Sequence, residues 1–345
     1  MNKNSILALL LGLGIIIFPE VALAHIKWFV AFDISDPPKS LIYWISNTYI
    51  IGLFILSVWG VSIASLVDSY WCRKFGKFTY ISDFFSSYED VSLNIARIGT
   101  GVFFVGIWLV GGVILTPELL TDNEYIPFIQ LLIAISVLFK KTLVISGMGI
   151  LVLYGIALYE YGLFHLLDYL TLVGLATYLI LSSIKYNRFT YYRFPILYGT
   201  LIFAFLWSAI EKLAFPQWFY PFLEKNPVIT MGFDNDFFLA SAAFIEFTLF
   251  FLLLMGKNSV IIFALLANIV IISGNIYFGK MDAIGHFPVN FILLIMMIKG
   301  SLPVKIWCFD HSCKHYLSTP LVALSYILTL IIILSLYYGI HWLLY

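Results

Sequence analysis

Long runs of hydrophobic residues recur along almost the whole chain, with short polar segments between them. A helix needs about 17–25 mainly apolar residues to cross a bilayer, and ten runs suit membrane-embedded helices. They cover approximately residues 41–66, 92–115, 125–139, 142–159, 163–184, 195–214, 237–255, 259–278, 284–299 and 318–343. This pattern predicts an all-α, polytopic membrane bundle of about ten transmembrane helices.

The composition is typical of an integral membrane protein. Of 345 residues, 62% are hydrophobic and only 11% are charged, whereas soluble domains contain about 25% charged residues. The formal net charge is zero and no block of like charge occurs, so nucleic acid is not an expected partner. The expected partner is the lipid bilayer.

The first 24 residues have the features of a secretory signal peptide. Lys3 precedes an apolar run over 6–18, and the small-x-small pattern Ala22-Leu23-Ala24 follows it. This order predicts cleavage after Ala24, which leaves His25 as the first mature residue. The alternative is an uncleaved first anchor. Residues 25–91 then comprise an external N-terminal segment and the first transmembrane helix.

The charged residues between the runs predict an orientation. With the N-terminus outside, the internal loops carry most of the basic residues: Arg73, Lys74, Lys77, Lys140, Lys141, Lys185, Arg188, Arg193, Lys257, Lys299, Lys305 and Lys314. The external loops carry more acids: Glu118, Asp122, Glu124, Glu160, Glu224, Asp234, Asp236 and Asp282. This positive-inside distribution predicts a multi-pass protein of a bacterial inner membrane with a periplasmic mature N-terminus.

Polar landmarks recur in the same order in two halves of the chain. Trp108 and Trp207 each precede a proline by nine residues, and "FIQLL" at 128–132 matches "FIEFT" at 244–248. His165 and His286 each begin the fourth helix of a set. We therefore predict two parallel four-helix units, 92–185 and 195–300. One helix flanks them on each side, and 301–345 holds a cytoplasmic loop and the last helix. Chance similarity between apolar helices is the alternative.

The repeated motifs resemble those of the DoxX/DoxD family of four-helix membrane proteins. "RIGTGVFFVGIWLVGG" and "LWSAIEKLAFP" are similar to the first helix of that family, and "FIEFTLFFLLLMG" to the second. The first unit has Gln130 where the second has Glu246, and the second has Ile196 where the first has Arg97. The resemblance implies a tandem duplication and a link to quinone-dependent sulfur oxidation or other redox work, although many relatives have no assigned activity.

Three polar residues within the spans are candidates for binding a cofactor: Arg97, Gln130 and Glu246. An ionised side chain inside a bilayer costs about 2.5–3.5 kcal/mol on insertion scales, so it normally needs a partner. Arg97 either extends to the internal headgroups or faces the bundle interior. Glu246 lies deeper, where it is either protonated and hydrogen-bonded or paired with Arg97 of the other unit.

Four histidines fall on the predicted external side and are candidate metal ligands: His25, His165, His286 and His341. An N-terminal histidine offers an amine and an imidazole nitrogen, a donor set that suits copper, and His165 or His286 would add a third nitrogen. Glu160, Asp168 and Asp282 are candidates for ligands or for acceptors that orient the imidazoles. A haem between His165 and His286 is a variant, and interfacial histidines without a ligand are the alternative.

A second set of soft donors lies on the internal side. Cys308, His311, Cys313 and His315 fall within eight residues, but their spacing does not match common structural zinc motifs. We interpret this segment as an ordinary cytoplasmic loop. No structural disulfide is expected, because all three cysteines lie on the reducing side.

These features lead to one main functional hypothesis and two alternatives. The main hypothesis is a redox- or metal-associated inner-membrane protein with a site at the periplasmic face and with copper or a quinone as cofactor. The first alternative is a transporter of small solutes or ions that uses Glu246 and Arg97. The second is an accessory subunit of a respiratory or other membrane complex without chemistry of its own.

Overall fold

The computed structural model describes residues 28, 30, 32–75, 89–184, 187–256, 259–300 and 315–345. The predicted signal peptide, His25 and the segment with Cys308, His311 and Cys313 lie outside these residues. The helices are α1 Leu41–Ser46, α2 Thr48–Phe75, α3 Glu89–Val110, α4 Ile126–Ser136, α5 Leu143–Tyr161, α6 Leu163–Leu166, α7 Leu170–Ser183, α8 Asn187–Thr190, α9 Arg193–Ala214, α10 Tyr220–Lys225, α11 Asn235–Met255, α12 Val260–Gly285, α13 Phe287–Lys299 and α14 His315–Leu344.

The described chain is an all-α polytopic membrane bundle, as predicted. Within the described ranges, seven spans are long and apolar enough to cross a membrane, and the end of α12 with α13 forms a further, bent pair with an angle of 54°. Each of the ten predicted runs contains helix, but fewer than ten are full spans, because Ile126–Ser136 and Val260–Gly274 are shorter. The protein is therefore an integral membrane protein that crosses the bilayer several times.

Several helix boundaries differ from the prediction, mainly at glycines. The run 92–115 stops being helical at Val110, because Gly111 and Gly112 adopt φ angles of 69° and 66°. Gly279, with φ of 76°, interrupts α12 where the run 259–278 was predicted to end. Glycine enters this left-handed region without the steric cost that a Cβ atom imposes. The chain can therefore leave the helix while the hydrophobic pattern continues.

Eight helices form two sets that contact each other in matching ways. In the first set α3, α4, α5 and α7 pack in sequence, and in the second set α9, α11, α12 and α13 do the same. The last helix of each set packs on the first helix of the other, α7 on α9 and α13 on α3. Outside this ring, α2 and α14 pack on each other, with α2 also on α11 and α14 also on α9. The gene duplication itself remains a prediction.

One end of the bundle, which we call the histidine end, contains His165, His286 and His341. Residues 32–40 lie across it. The Lys39 backbone N–H donates to the carbonyl of Ala214 over 2.8 Å, and Trp218 Nε1 donates to Asp36 Oδ2 over 3.0 Å. At the opposite end, the Ser259 backbone N–H donates to Asp68 Oδ1 over 2.9 Å.

A polar clamp fixes the start of α1 to the histidine end. Lys39 Nζ lies 2.9 Å from Asp236 Oδ2, and the hydroxyls of Tyr43 and Tyr220 donate to the same carboxylate. Burial, followed by the hydrogen bond to Asp236, raises the pKa of both tyrosines above the ordinary value. Both hydroxyls therefore stay protonated at neutral pH and act as donors.

Candidate functional site

His165 contacts Glu118 at the histidine end, and both side chains are buried. Gly162, with φ of 82° and ψ of 164°, makes the sharp turn that places the short helix α6 and its His165 over the bundle. The loop after α3 carries Glu118 back to it. His165 Nε2 contacts Glu118 Oε1, and the two side chains are only 6% and 8% exposed. The two residues lie far apart in the sequence, so their contact depends on the tertiary fold.

Tyr169 and Trp28 extend this pair toward the second unit. The Tyr169 hydroxyl donates to Glu118 Oε2 over 2.5 Å, and Trp28 Nε1 donates to the Tyr169 oxygen over 2.9 Å. Phe32 stacks on the His165 ring, with centroids 5.8 Å apart and an interplanar angle of 2°. The N-terminal segment thus covers the Glu118–His165 pair and bonds to it.

A second acid–histidine pair lies on the far side of Trp28. His286 Nδ1 is 3.0 Å from Asp282 Oδ1, four residues earlier at the end of α12, and the Asp282 side chain is fully buried. The Trp28 and His286 rings are 4.8 Å apart between centroids. Gly285 makes this packing possible, because a Cβ atom there would lie 2.1 Å from Trp28 Cη2.

A small cavity lies between the two pairs. Its volume is about 30 Å³, and its polar lining comes from Thr116, Asp168, Tyr169, Thr171 and His286. Trp28 forms another wall, and apolar residues of α3, α9 and α13 complete it. A volume of this size holds one or two water molecules when several polar groups surround it. The cavity therefore offers a place where water meets the buried Asp168 of the first unit and the His286 imidazole of the second.

The two acid–histidine pairs can hold and exchange protons. In each pair, a proton on the imidazole gives an ion pair, and a proton on the carboxyl gives a neutral pair. Burial makes a single unpaired charge costly, so removing one member of a pair is expected to disturb the other. Tyr169 and Trp28 link the pairs by hydrogen bonding and ring contact.

Glu246 forms its ion pair with Lys212, and not with Arg97 as one of our expectations proposed. Lys212 Nζ lies 2.8 Å from Glu246 Oε2 and 3.0 Å from Ser208 Oγ. The side chains are 2% and 14% exposed, and Glu246 Oε1 has no hydrogen-bond partner among the described residues. The ion pair joins α9 to α11 within the second unit.

Gln130 occupies the corresponding place in the first unit. Its Nε2 donates to the carbonyls of Val113 and Ile114 over 2.7 and 3.0 Å. Val113 follows Trp108 by five residues, as Lys212 follows Trp207. In both units, therefore, a polar side chain of the second helix contacts the position five residues after the tryptophan of the first helix. In the first unit the target is unwound backbone, and in the second it is a lysine.

Arg97 lies at the opposite end of the bundle. Its Nε donates to the carbonyl of Val137 over 2.8 Å, its Nη2 donates to the carbonyl of Leu138, and its Nη1 donates to Asn94 Oδ1 over 3.2 Å. Arg97 thus satisfies the free carbonyls that follow α4. Arg97, Gln130 and Glu246 do not meet in one site, although each could serve a separate one.

His341 has a structural environment that differs from those of His165 and His286. Its Nε2 lies 3.0 Å from the carbonyl oxygen of Ile34, and its ring packs against Phe164 and Phe215. Across the described ranges, no three His, Cys, Asp or Glu side chains are placed to hold a metal ion. Where the chain is described, the histidines are connected through aromatic residues and not through a shared ligand position.

The carboxylate partners of the histidines were only partly foreseen. Asp282 was a candidate acceptor for an imidazole, and its spacing of four residues from His286 puts both on one helix face. Asp168 lines the cavity, while Glu160 is exposed. No local pattern indicated Glu118 as the partner of His165 or predicted the roles of Tyr169 and Trp28, because their contacts depend on how distant loops fold together.

Comparison with known proteins found no match. No family model matches the chain, no curated protein matches it, and no solved structure matches its fold.

Proposed function

We propose that this chain is a redox-associated protein of a bacterial inner membrane that takes up and releases protons at its periplasmic end. The observation that carries the proposal is the pair of buried acid–histidine contacts, Glu118–His165 and Asp282–His286, joined through Tyr169 and Trp28 beside a water-sized cavity. Buried ionisable groups in membrane proteins commonly mark proton pathways.

A membrane quinone is the redox partner that we propose. The resemblance to DoxX proteins supports this choice, because several members are linked to quinone-dependent reactions. Quinones exchange protons together with electrons, which is chemistry that acid–imidazole pairs can assist. The cavity of about 30 Å³ is too small for a quinone ring. The proposed role of the pairs is therefore to pass protons between a quinone at the rim and water.

The copper site stays a separate hypothesis, because its first ligand, His25, lies outside the described residues. His165 and His286 each have one ring nitrogen near a carboxylate. The proton-exchange proposal uses these two contacts and needs no metal.

The proposal is tested by following proton release. Purified protein in lipid nanodiscs is loaded with decylubiquinol in weakly buffered solution, ferricyanide is added as the oxidant, and a pH-indicating dye reports the two protons released per quinol oxidised. We expect faster release than in protein-free nanodiscs, and we expect this acceleration to be lost in Glu118→Gln and in His286→Gln. Glu160→Gln is the matched control, since Glu160 is an exposed acid at the same end. An unchanged signal in both site variants would contradict the proposal.

The proposed orientation rests on the distribution of charged loops and on the signal-like N-terminus. It is tested with single cysteines and a membrane-impermeant maleimide applied to intact inner-membrane spheroplasts. A cysteine at exposed Glu160 should react, whereas one at exposed Lys141 should react only after the membrane is opened. Reaction of both, or the reverse order, would overturn the orientation.

A second candidate function, proton-coupled transport, is favoured by the Lys212–Glu246 ion pair. It places a partly unsatisfied carboxylate inside a span, a common feature of ion pathways. Its test needs no known substrate. Proteoliposomes with a potassium gradient and valinomycin should show proton influx, followed by a pH-sensitive dye, that is lost in Glu246→Gln. Equal flux in protein-free vesicles would reject this function.

A further inference from the structure

A groove on the lipid-facing side of the first unit is separate from the histidine-end site. It lies between α3 and α4 and has a volume of about 650 Å³, within the range of small-molecule sites. Its walls are apolar side chains, most of them exposed: Ile98, Val102, Val105, Leu131, Ile135 and Leu138. Arg97 and Asn94 form its polar end. The groove thus has an amphipathic shape, with one charged end and a long apolar body.

The short length of α4 explains why this groove exists. Its 11 residues rise about 16 Å, roughly half the hydrocarbon thickness of about 30 Å. Helix α3, with 22 residues, extends well beyond it. At the crossing of the two helices, Gly101 lies so close to α4 that a Cβ atom there would be 3.1 Å from Val137 Cγ2. Tight packing at this point leaves the adjoining lipid-facing surface concave.

The charged end of the groove fits an anion. Three of the five guanidinium N–H donors of Arg97 are used by Val137, Leu138 and Asn94, which leaves two for another acceptor. Lys140 and Lys141, both exposed, begin the turn that follows the same helix. Among the described residues that line the groove there is no Asp or Glu. Among the described lining residues, the charge at this end of the groove is that of Arg97.

We propose that this groove binds one anionic glycerophospholipid, with its phosphate at Arg97 and one acyl chain along the apolar walls. Arginine recognises phosphate with paired N–H donors, and the exposed Lys141 in the turn after α4 favours a lipid that carries net negative charge. The apolar body requires a chain and excludes free phosphate as the ligand. The bound lipid completes the lipid-facing surface that the short α4 leaves open.

Lipid retention in native mass spectrometry tests this site. The protein is transferred from nanodiscs of equal phosphatidylglycerol and phosphatidylcholine into a mild detergent, and the bound lipid is identified and counted. We expect one phosphatidylglycerol per protein and at least five-fold less in Arg97→Gln, with Arg97→Lys in between. Ile98→Trp, which fills the groove and keeps Arg97, should reduce retention equally.

Two further measurements keep the result interpretable. Ile331→Trp, on the exposed face of α14, is the matched control and should retain the lipid as the wild type does. Thermal unfolding establishes that Ile98→Trp is folded, so that its loss of lipid is not a loss of structure. Equal retention of both lipids, retention of an isoprenoid quinone in place of phospholipid, or an unaffected Ile98→Trp variant would overturn the proposal.

Discussion

The two four-helix sets differ most at the point where their second helix meets the end of their first. In the first set, the neutral Gln130 holds two carbonyls of the unwound segment after Val110. In the second set, helix α9 continues to Ala214, and the charged Glu246 holds Lys212. One architecture thus accommodates either a backbone break or a buried ion pair. The two sets therefore share a polar position on their second helix, but the residue there is a neutral amide in one set and a carboxylate in the other.

The largest expected effect comes from breaking the ion pair of the second set. Lys212→Met leaves the Glu246 carboxylate without its cation, which should reduce the free energy of unfolding by about 3–5 kcal/mol. Lys212→Met combined with Glu246→Leu removes both charges and should recover most of this loss. Chemical unfolding in detergent, followed by circular dichroism, measures both. A double variant as unstable as the single one would show that packing, and not charge, dominates.

An intermediate effect is expected at the acid–histidine pairs. Glu118→Ala removes the acceptor of both His165 and Tyr169, at a cost of about 2–3 kcal/mol. It should also speed hydrogen exchange in residues 32–40, because Trp28 bonds to Tyr169. Asp282→Ala breaks a contact within one helix end, and the exchange of 32–40 should change less. Equal exchange rates in the two variants would argue against a tertiary link through Tyr169.

Gln130→Leu should have a smaller effect than the loss of Lys212. It leaves two carbonyls without their amide donor, which should reduce the free energy of unfolding by about 1–2 kcal/mol. Gln130→Glu is the informative comparison, since it copies the second set without supplying a lysine. We expect it to be less stable than Gln130→Leu in the same unfolding assay. A stabilised Gln130→Glu variant would mean that this site finds a cation of its own.

The smallest effect concerns the clamp around Asp236. Burial raises the pKa of Tyr43 and Tyr220 above their ordinary value of 10.0, so the folded state holds these protons more tightly than the unfolded state. Their stabilisation is complete below about pH 10 and decreases as the pH rises further. Thermal unfolding between pH 8 and pH 11.5 measures this slope. Tyr43→Phe should flatten it, and an unchanged slope would assign the effect to other groups.

The helices were predictable and their junctions were not. Membrane helices expose apolar side chains to lipid, so hydrophobicity alone located helical segments in all ten runs. The break at Gly111 depends on backbone angles that a hydrophobic pattern does not encode, whereas the break at Gly279 falls where the run 259–278 was predicted to end. Arg97 was the wrong partner for Glu246. Arg97 lies at the end of the bundle opposite the histidine end, where it donates to the carbonyls of Val137 and Leu138. Lys212, near the end of α9 and with a long stem, reaches Glu246 instead.

The candidate site was predictable only where its contacts are local. His286 and Asp282 share a helix face, and their spacing of four residues predicts the contact between them. Glu118 and His165 come together because the chain leaves the helix at Gly111 and turns sharply at Gly162. The spacing of residues in the sequence predicts neither the break nor the turn. Trp28 joins the two pairs only because Gly285 leaves room for its ring.

The central claim is that the two acid–histidine pairs exchange protons as one linked unit. It is tested most directly by a pH titration of Trp28 fluorescence, taken as the wild-type signal minus that of Trp28→Phe in lipid nanodiscs. Trp28 contacts His286 and reaches Glu118 only through Tyr169. We predict that Glu118→Gln shifts the midpoint of this difference titration. A midpoint that responds to Asp282→Asn but not to Glu118→Gln would contradict the link.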